Sequence, residues 1–223
     1  MSTLTKFALG MMGQLRPKPA KGDAIPEIAL PAPEKTGGLP LMEAIARRRS
    51  FHAFAAGTVL PLPMLSNLLW AAWGINRPDG MRTAPSAINA QEIDLYVALP
   101  SGAYLYDATA HKLRLVAGTD LRRVTGYQDF VDEAPLDLVF VADYSRMKFV
   151  PASLRECYAS VATGAIAENI YLFAASNGLA TVIRAWIDRE AIANALGLSH
   201  DQHVMMSQTV GYPPAGNDWF VAS

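Results

Sequence analysis

Cationic and hydroxyl side chains are concentrated at one point of the chain, the run Arg47-Arg48-Arg49-Ser50-Phe51-His52. Guanidinium groups bind phosphate through charge-assisted, often bidentate hydrogen bonds, and a serine hydroxyl adds a further donor. The alternative is structural, because cations are also favoured at the negative C-terminal end of a helix. The residue types therefore predict an anion site, with stabilisation of a helix end as the competing interpretation.

A second segment places two side-chain amides on a turn, in the run Arg82-Thr83-Ala84-Pro85-Ser86-Ala87-Ile88-Asn89-Ala90-Gln91. Proline and serine favour a rigid turn, and amides offer both donors and acceptors. Such a loop suits the edge of a planar heterocycle, which carries both kinds of group. Most loops of this composition are only turns, and that interpretation stays open.

A third segment is an apolar strand interrupted by a cation, Gly178-Leu-Ala-Thr-Val-Ile183-Arg184-Ala185-Trp186. A buried guanidinium is costly unless a partner compensates its charge. An anionic ligand is one possible partner. The other is a carboxylate of the chain itself, such as Asp188.

Composition and motifs exclude several other functions. The net charge of −1 predicts no broad nucleic-acid surface, and no apolar run is long enough to cross a bilayer. The four histidines lack the spacing of a metal site, and there is no dinucleotide-binding or P-loop glycine motif. Cys157, the single cysteine, is predicted to be a small buried apolar residue. We therefore expect a protein of the cytoplasm that binds a small molecule, with export by a weak N-terminal signal as the alternative.

Hydrophobic periodicity predicts a mixed α+β domain preceded by an arm. Residues 1–38 are proline-rich, which favours an extended arm that wraps around a partner subunit or stays loose; residues 39–223 form the domain. The predicted helices are 41–49, 64–73, 154–176 and one from Asp188 to Gly197. The predicted strands are 92–99, 104–106, 112–116, 136–142, 179–186 and 203–210. The strongest helix, 154–176, carries an apolar stripe that includes Leu154, Cys157 and Val161.

The chain resembles the nitroreductase family, over residues 40 to 213. Four motifs of that family occur in order. They are Arg48-Arg49-Ser50-Phe51-His52-Ala53-Phe54, Pro85-Ser86-Ala87-Ile88-Asn89-Ala90-Gln91, Asn169 to Leu179, and Val210-Gly211-Tyr212-Pro213. The run Arg82-Thr-Ala-Pro-Ser-Ala and the run Ile-Arg-Ala look closest to the SagB/ThcOx-type dehydrogenase branch. His52 stands where the family has a second basic residue, and no lysine or arginine follows Pro213.

The resemblance implies a homodimer of nitroreductase-like α+β fold, with a central, mostly antiparallel sheet, a long central helix and FMN at the subunit interface. FMN would be reduced by NAD(P)H and would pass electrons to a small organic acceptor, such as a nitroaromatic or a quinone, in a ping-pong cycle. The phosphate would be held by Arg48, Arg49 and Ser50. The flavin ring and ribityl chain would be contacted by His52, Pro85, Ser86, Ala87, Asn89, Gln91, Ile183, Arg184 and Ala185, with the backbone N–H groups of Arg184 and Ala185 near N5 and O4.

Two other functions remain compatible with this resemblance. One is a flavin-binding carrier, sensor or partner subunit without turnover. The other is different chemistry in the same fold, such as azoline oxidation or flavin destruction. The sequence does not distinguish NADH from NADPH.

Overall fold

The computed structural model describes residues 1–216 as a three-layer α+β fold around a seven-stranded sheet. The strand order is β2-β5-β4-β3-β7-β9-β8, and all neighbours are antiparallel. These strands are β2 (Glu27–Ala29), β3 (Ile93–Leu99), β4 (Gly102–Asp107), β5 (Lys112–Ala117), β7 (Leu136–Asp143), β8 (Ala180–Arg184) and β9 (Gln202–Gly211), while β1 (Lys18–Pro19) and β6 (Thr119–Asp120) form a separate pair. The predicted α+β class and antiparallel sheet are confirmed.

The helices are α1 (Thr3–Met11), α2 (Leu41–Arg47), α3 (Leu62–Trp73), α4 (Ala152–Ser176) and α5 (Arg189–Leu196). Local signals explain their ends. The Asp188 carboxylate caps α5 by accepting from the Ala191 N–H at 3.0 Å, and Gly197 ends α5 with φ +64°. Gly74 caps the C-terminal end of α3, and glycine is required there because a Cβ would lie 2.4 Å from the Trp70 side chain. The four predicted helices are confirmed to within a few residues, whereas α1 lies in a segment predicted to be extended.

Two hydrophobic cores cover the two faces of the sheet. Helices α3 and α4 cover one face, where Leu68, Ile166 and Phe140 are fully buried. Helix α5 covers the other face through Ile192 and Leu196. Alternation along β7 supplies both cores, since successive strand residues point to opposite faces. Within residues 1–216, the structure contains no helix that is both long and apolar enough to span a bilayer.

The long helix α4 buries a different face from the one expected. Alanine and isoleucine side chains contact the sheet, among them Ala162, Ile166 and Ile170. Leu154 and Val161, which belong to the predicted stripe, are 40% and 66% exposed. Cys157 is exposed as well, so the prediction of a buried cysteine is wrong. Small residues let the helix approach the sheet closely and leave the larger apolar ones on the outer face.

The N-terminal segment differs from a wholly extended arm. Residues 3–11 form α1, and β2 adds an edge strand to the sheet by pairing with β5. Helix α1 is anchored by Lys6, which is fully buried and donates to Asp132 at 2.6 Å and to the Gln128 carbonyl at 2.9 Å. Lys18 contacts the second carboxylate oxygen of Asp132. Burial alone would raise the pKa of Asp132, but the hydrogen bonds from Lys18 and Lys6 lower it to about 2.

We expect this anchor to weaken in acid. A carboxylate whose pKa is lowered on folding stabilises the fold above its unfolded pKa, near 4, and loses that contribution as the pH falls toward 2. Wild-type protein should therefore exceed Asp132→Asn in free energy of unfolding at pH 5, and the difference should shrink by roughly 2 kcal/mol between pH 4 and pH 2. Urea denaturation at each pH measures it. A difference that stays constant would show that Asp132 contributes no pH-dependent stability.

Candidate functional site

The candidate site lies along the edge formed by β8, the last strand of the sheet. An edge strand presents every second N–H and C=O away from the sheet. The Thr181 carbonyl accepts from the Phe51 N–H at 3.0 Å, and the Ile183 N–H donates to the Tyr171 hydroxyl at 3.0 Å. Segment 50–55 therefore runs beside β8, which brings the predicted anion site to the predicted apolar strand.

Alternation along β8 determines which N–H groups are accessible. Because Ile183 faces the open edge, the Arg184 N–H is turned toward β9, where Arg184 pairs with Ser207. The Arg184 N–H is thus directed away from the edge, whereas the resemblance implied that it lies near N5 and O4 of the flavin. Within residues 1–216, the N–H groups of Ala185 and Trp186 donate to no protein acceptor, and both residues are exposed. Two adjacent donors are left at the end of the strand.

Tyr171 of α4 connects residues Arg48 to Ser50, named here the Arg48–Ser50 cluster, to strand β8. Its hydroxyl lies 2.8 Å from Ser50 Oγ and also accepts from Ile183. The tyrosine hydroxyl can therefore donate to Ser50, which leaves the serine O–H available for an anion. The Arg48 guanidinium lies 5.3 Å from the centre of the Tyr171 ring, and its Nε is 4.0 Å from Glu168. Arg48, Ser50 and Ile183 thus meet around one side chain.

The remaining arginines of the run occupy different surroundings. Arg47 pairs with Glu43 one turn earlier in α2, as expected for a cation near a helix end. Arg49 is exposed, directly before Ser50. The helix-end interpretation therefore applies to Arg47, and the anion site at Arg48 and Arg49 stays a prediction.

His52 is exposed and lies beside an aromatic side chain. Its ring centre is 5.9 Å from that of Phe130, in an edge-to-face arrangement. Phe130 also contacts Phe54 at 5.3 Å. His52 therefore borders the same strand edge, next to the short helical turn Asp129–Asp132.

The Arg184 side chain is buried and has an internal partner. It donates to Asp137 at 2.7 Å, to Thr209 Oγ1 at 2.6 Å and to the Thr125 carbonyl at 2.7 Å. The partner is therefore a carboxylate of the chain, and the anionic-ligand hypothesis for this side chain is wrong. Asp188, the carboxylate considered from the sequence, caps α5 instead. Arg184 fixes the end of β8 to β7 and β9.

The second segment singled out from the sequence, the Pro85–Gln91 loop with its amides Asn89 and Gln91, is held in an uncommon backbone conformation. Ile88, Asn89 and Gln91 have φ of 51°, 53° and 48°, values in the left-handed region that side chains other than glycine seldom adopt. The Gln91 N–H donates to Ser86 Oγ at 2.9 Å, and its side chain accepts from Arg82 at 2.8 Å. Backbone strain of this kind concentrates at ligand sites and persists only where surrounding contacts enforce it.

Pro85 and Ala87 complete this loop, and Asn89 Oδ1 accepts from the Gln91 amide at 3.2 Å. The loop is attached to α4 by Asn169, which donates to the Thr83 carbonyl at 3.3 Å. Asn169 and Tyr171 are two residues apart, roughly 200° around the helix. The loop and the Arg48–Ser50 cluster therefore attach to opposite sides of α4.

Sequence reasoning missed three residues of this region: Tyr171, Phe130 and Trp186. Tyr171 had a detectable signal, since a tyrosine on a buried helix usually satisfies its hydroxyl with a specific partner. Phe130 reaches the site only through tertiary packing, for which the local sequence carries no signal, whereas Trp186 ends the third segment and was given no role there.

Replacing Tyr171 with phenylalanine should destabilise the chain. The Ile183 N–H and Ser50 Oγ both lose their partner, which costs roughly 1–3 kcal/mol. Tyr158→Phe is a matched control on the same helix, because within residues 1–216 the Tyr158 hydroxyl makes no hydrogen bond, and it should change stability by less than about 0.5 kcal/mol. Denaturant unfolding of both variants measures the difference, and equal effects would refute a specific role for the Tyr171 hydroxyl.

Comparison with known proteins agrees with this architecture. The model of the Nitroreductase family matches residues 45–212. The chain is 31% identical over 180 residues to a nitroreductase-family protein of Methanocaldococcus jannaschii. The aligned residues cover 76% of this chain and 88% of the relative. The crystal structure of a nitroreductase-family protein of Ralstonia eutropha JMP134 is 48% identical, with a TM-score of 0.86 over 90% of this chain and 96% of that one.

Two more distant structures share the fold. One is a chain of the E. coli microcin synthetase complex, 17% identical, with a TM-score of 0.68 over 95% of this chain and 92% of that one. The other is the NADPH:FMN oxidoreductase of Vibrio harveyi complexed with NAD+, 22% identical, with a TM-score of 0.57 over 78% of this chain and 68% of that one. From the family match and these similarities, the chain belongs to the nitroreductase family and has its fold.

Proposed function

We propose that the protein is an FMN-dependent oxidoreductase that binds its flavin between two identical subunits. The observation that supports this proposal most directly is that the candidate site is divided. The Arg48–Ser50 cluster and the Pro85–Gln91 loop attach to opposite sides of α4. A flavin bound by one chain alone would have to reach around that helix. A second copy of the chain would supply the loop to the cluster of the first.

The chemistry of the first half-site fits the phosphate of FMN. Arg48 and Arg49 supply guanidinium donors near the surface, and Ser50 keeps its O–H available because Tyr171 can donate to it. The Arg48–Ser50 cluster is therefore the proposed phosphate site.

The second part of the fit concerns the flavin ring. The Ala185 N–H directly follows the end of β8, in an exposed residue, and has no acceptor within residues 1–216, so it suits a ring nitrogen or carbonyl oxygen. Asn89 and Gln91 would contact the pyrimidine edge from the partner subunit, and His52 would lie near the ribityl chain. When bound, FMN supplies hydride transfer from NAD(P)H and onward transfer to an acceptor; the chain supplies binding and orientation.

The exposed apolar side chains of α2 and α4 support the dimer. Leu41 and Met42 of α2 are 63% and 75% exposed, and Val161 of α4 is 66% exposed. Exposed apolar groups concentrated on neighbouring helices are typical of an interaction surface, and most soluble oligomers are symmetric homodimers. The α4 face that carries Val161 also carries Glu168, next to Arg48.

The proposed donor is NAD(P)H and the proposed acceptor a small nitroaromatic or quinone in the cytoplasm. The similarity to the V. harveyi NADPH:FMN oxidoreductase supports flavin and nicotinamide chemistry. A dehydrogenase of the SagB/ThcOx type acting on an azoline is the second candidate, and the runs Arg82-Thr-Ala-Pro-Ser-Ala and Ile-Arg-Ala support it.

Anaerobic titration of the FMN-loaded protein with NADH and NADPH distinguishes these functions. Bleaching of the flavin absorbance by either nicotinamide, followed by reoxidation with a quinone, is the expected result. Bound flavin that neither nicotinamide reduces would favour a carrier, sensor or azoline-type dehydrogenase. A protein that binds no FMN would overturn the proposal.

Arg48→Ala should weaken FMN binding by roughly 1.5–3 kcal/mol, the value of a hydrogen bond to a charged group. Riboflavin lacks the phosphate, so its affinity should stay nearly unchanged. Arg114→Ala, an exposed arginine on β5, serves as the control. Fluorescence titration measures each affinity. Equal losses for FMN and riboflavin would show that Arg48 is structural.

Val161→Glu should convert the dimer to a monomer, because it places a charge within the proposed apolar interface. Val59→Glu is the control, since Val59 is 76% exposed and lies outside α2 and α4. Light scattering at micromolar concentration measures both masses. A wild-type monomer, or a Val161→Glu variant that remains dimeric, would contradict this interface.

A further inference from the structure

The N-terminal helix α1 is built into the domain beside the candidate site. Lys6 is fully buried, and its ammonium reaches Asp132 and the Gln128 carbonyl. Lysine is seldom fully buried unless it is paired, so these contacts fix the helix in one position. The segment that receives Lys6 also carries Phe130, the ring that faces His52. Anchoring of α1 therefore fixes one border of the site.

Helix α1 also contacts the end of β8 through three aromatic rings. Phe7 lies 5.5 Å from Tyr127 and 5.4 Å from Trp186, and Tyr127 lies 5.3 Å from Trp186. Gly10 permits this approach, because a Cβ at that position would lie 2.6 Å from the Tyr127 ring. The Tyr127 N–H donates to the Trp186 carbonyl at 3.4 Å. The aromatic group is thus part of the turn that follows β8.

Two of these rings keep an accessible surface. Phe7 is 37% exposed and Trp186 is 44% exposed, whereas Tyr127 is buried. Trp186 directly follows Ala185, whose N–H has no acceptor within residues 1–216. The accessible aromatic surface therefore begins at the residue next to the Ala185 N–H, the donor proposed for the flavin ring.

We infer that Phe7 and Trp186 form a wall of the acceptor site and select planar aromatic molecules by stacking. The inference rests on the proposed function, since it places the wall beside bound FMN. Aromatic side chains provide a rigid apolar surface whose rings attract other rings in tilted or offset arrangements. Nonaromatic acceptors make no such contact and should not depend on these residues.

Equilibrium binding of 2-naphthoate, a planar aromatic probe that is not reduced, tests the wall in the oxidised FMN-loaded protein. Phe7→Ala should weaken the probe by about two- to tenfold, the range for one aromatic pair. Trp186→Leu should give a similar loss. Leu4→Ala is the matched control on α1, because Leu4 is 80% exposed, and it should bind the probe as the wild type does. Calorimetry measures the affinities without turnover.

Turnover gives a second readout. In Phe7→Ala, the KM for 1,4-naphthoquinone should rise by a similar factor, whereas in Leu4→Ala that KM and the reduction of ferricyanide should both stay at the wild-type values. Phe7→Leu keeps apolar bulk on α1 and removes the ring, so it replaces the alanine variant if that one does not fold. Variants that load FMN normally and bind 2-naphthoate as tightly as the wild type would overturn the wall alone. A wild-type chain that binds no FMN would overturn the proposed function and the wall together.

Discussion

The free edge of β8 is the constraint on which the rest of the site depends. Backbone groups at a sheet edge need partners, and a strand without them invites pairing with other chains. Segment 50–55 and the Tyr171 hydroxyl satisfy the edge at Thr181 and Ile183. The same contacts bring Arg48 and Ser50 beside the strand. The need to satisfy the backbone groups of β8 therefore also assembles the Arg48–Ser50 cluster. Among residues 1–216, the edge remains accessible only at its end, where Ala185 and Trp186 begin the turn toward α5.

Helix α4 positions the two parts of the candidate site beside this edge. The Tyr171 side of α4 contacts the Arg48–Ser50 cluster, and the Asn169 side is attached to the Pro85–Gln91 loop. Its outer face exposes apolar residues, and Arg184 anchors the strand end through a buried pair with Asp137. Rigid support on three sides suits a site that must hold a planar cofactor in one orientation. The proposed dimer joins the two halves and explains the apolar outer face by the same contact.

Local sequence patterns predicted the elements well because their signals are local. The alternation of β3, the continuous apolar run of β7 and the caps of α5 lie within a few residues of each other. The partner of Arg184 was not predictable, since Asp137 is 47 residues away and only the sheet brings them together. Periodicity also failed to identify the buried face of α4, because the helix is apolar on most sides. The order of α1 depends on Lys6 meeting Asp132, a contact across 126 residues.

Subunit mixing tests most directly whether one flavin site draws on two chains. Arg48→Ala damages the cluster, and Asn89→Asp damages the loop while keeping a residue that tolerates the left-handed conformation. Each variant alone should bind FMN weakly. If the site spans two subunits, a mixed dimer contains one intact site, so refolding both variants together should restore tight binding to about one FMN per mixed dimer. If both elements served the flavin of their own chain, every site in the mixed dimer would stay damaged, and the absence of any restored tight binding would contradict the account.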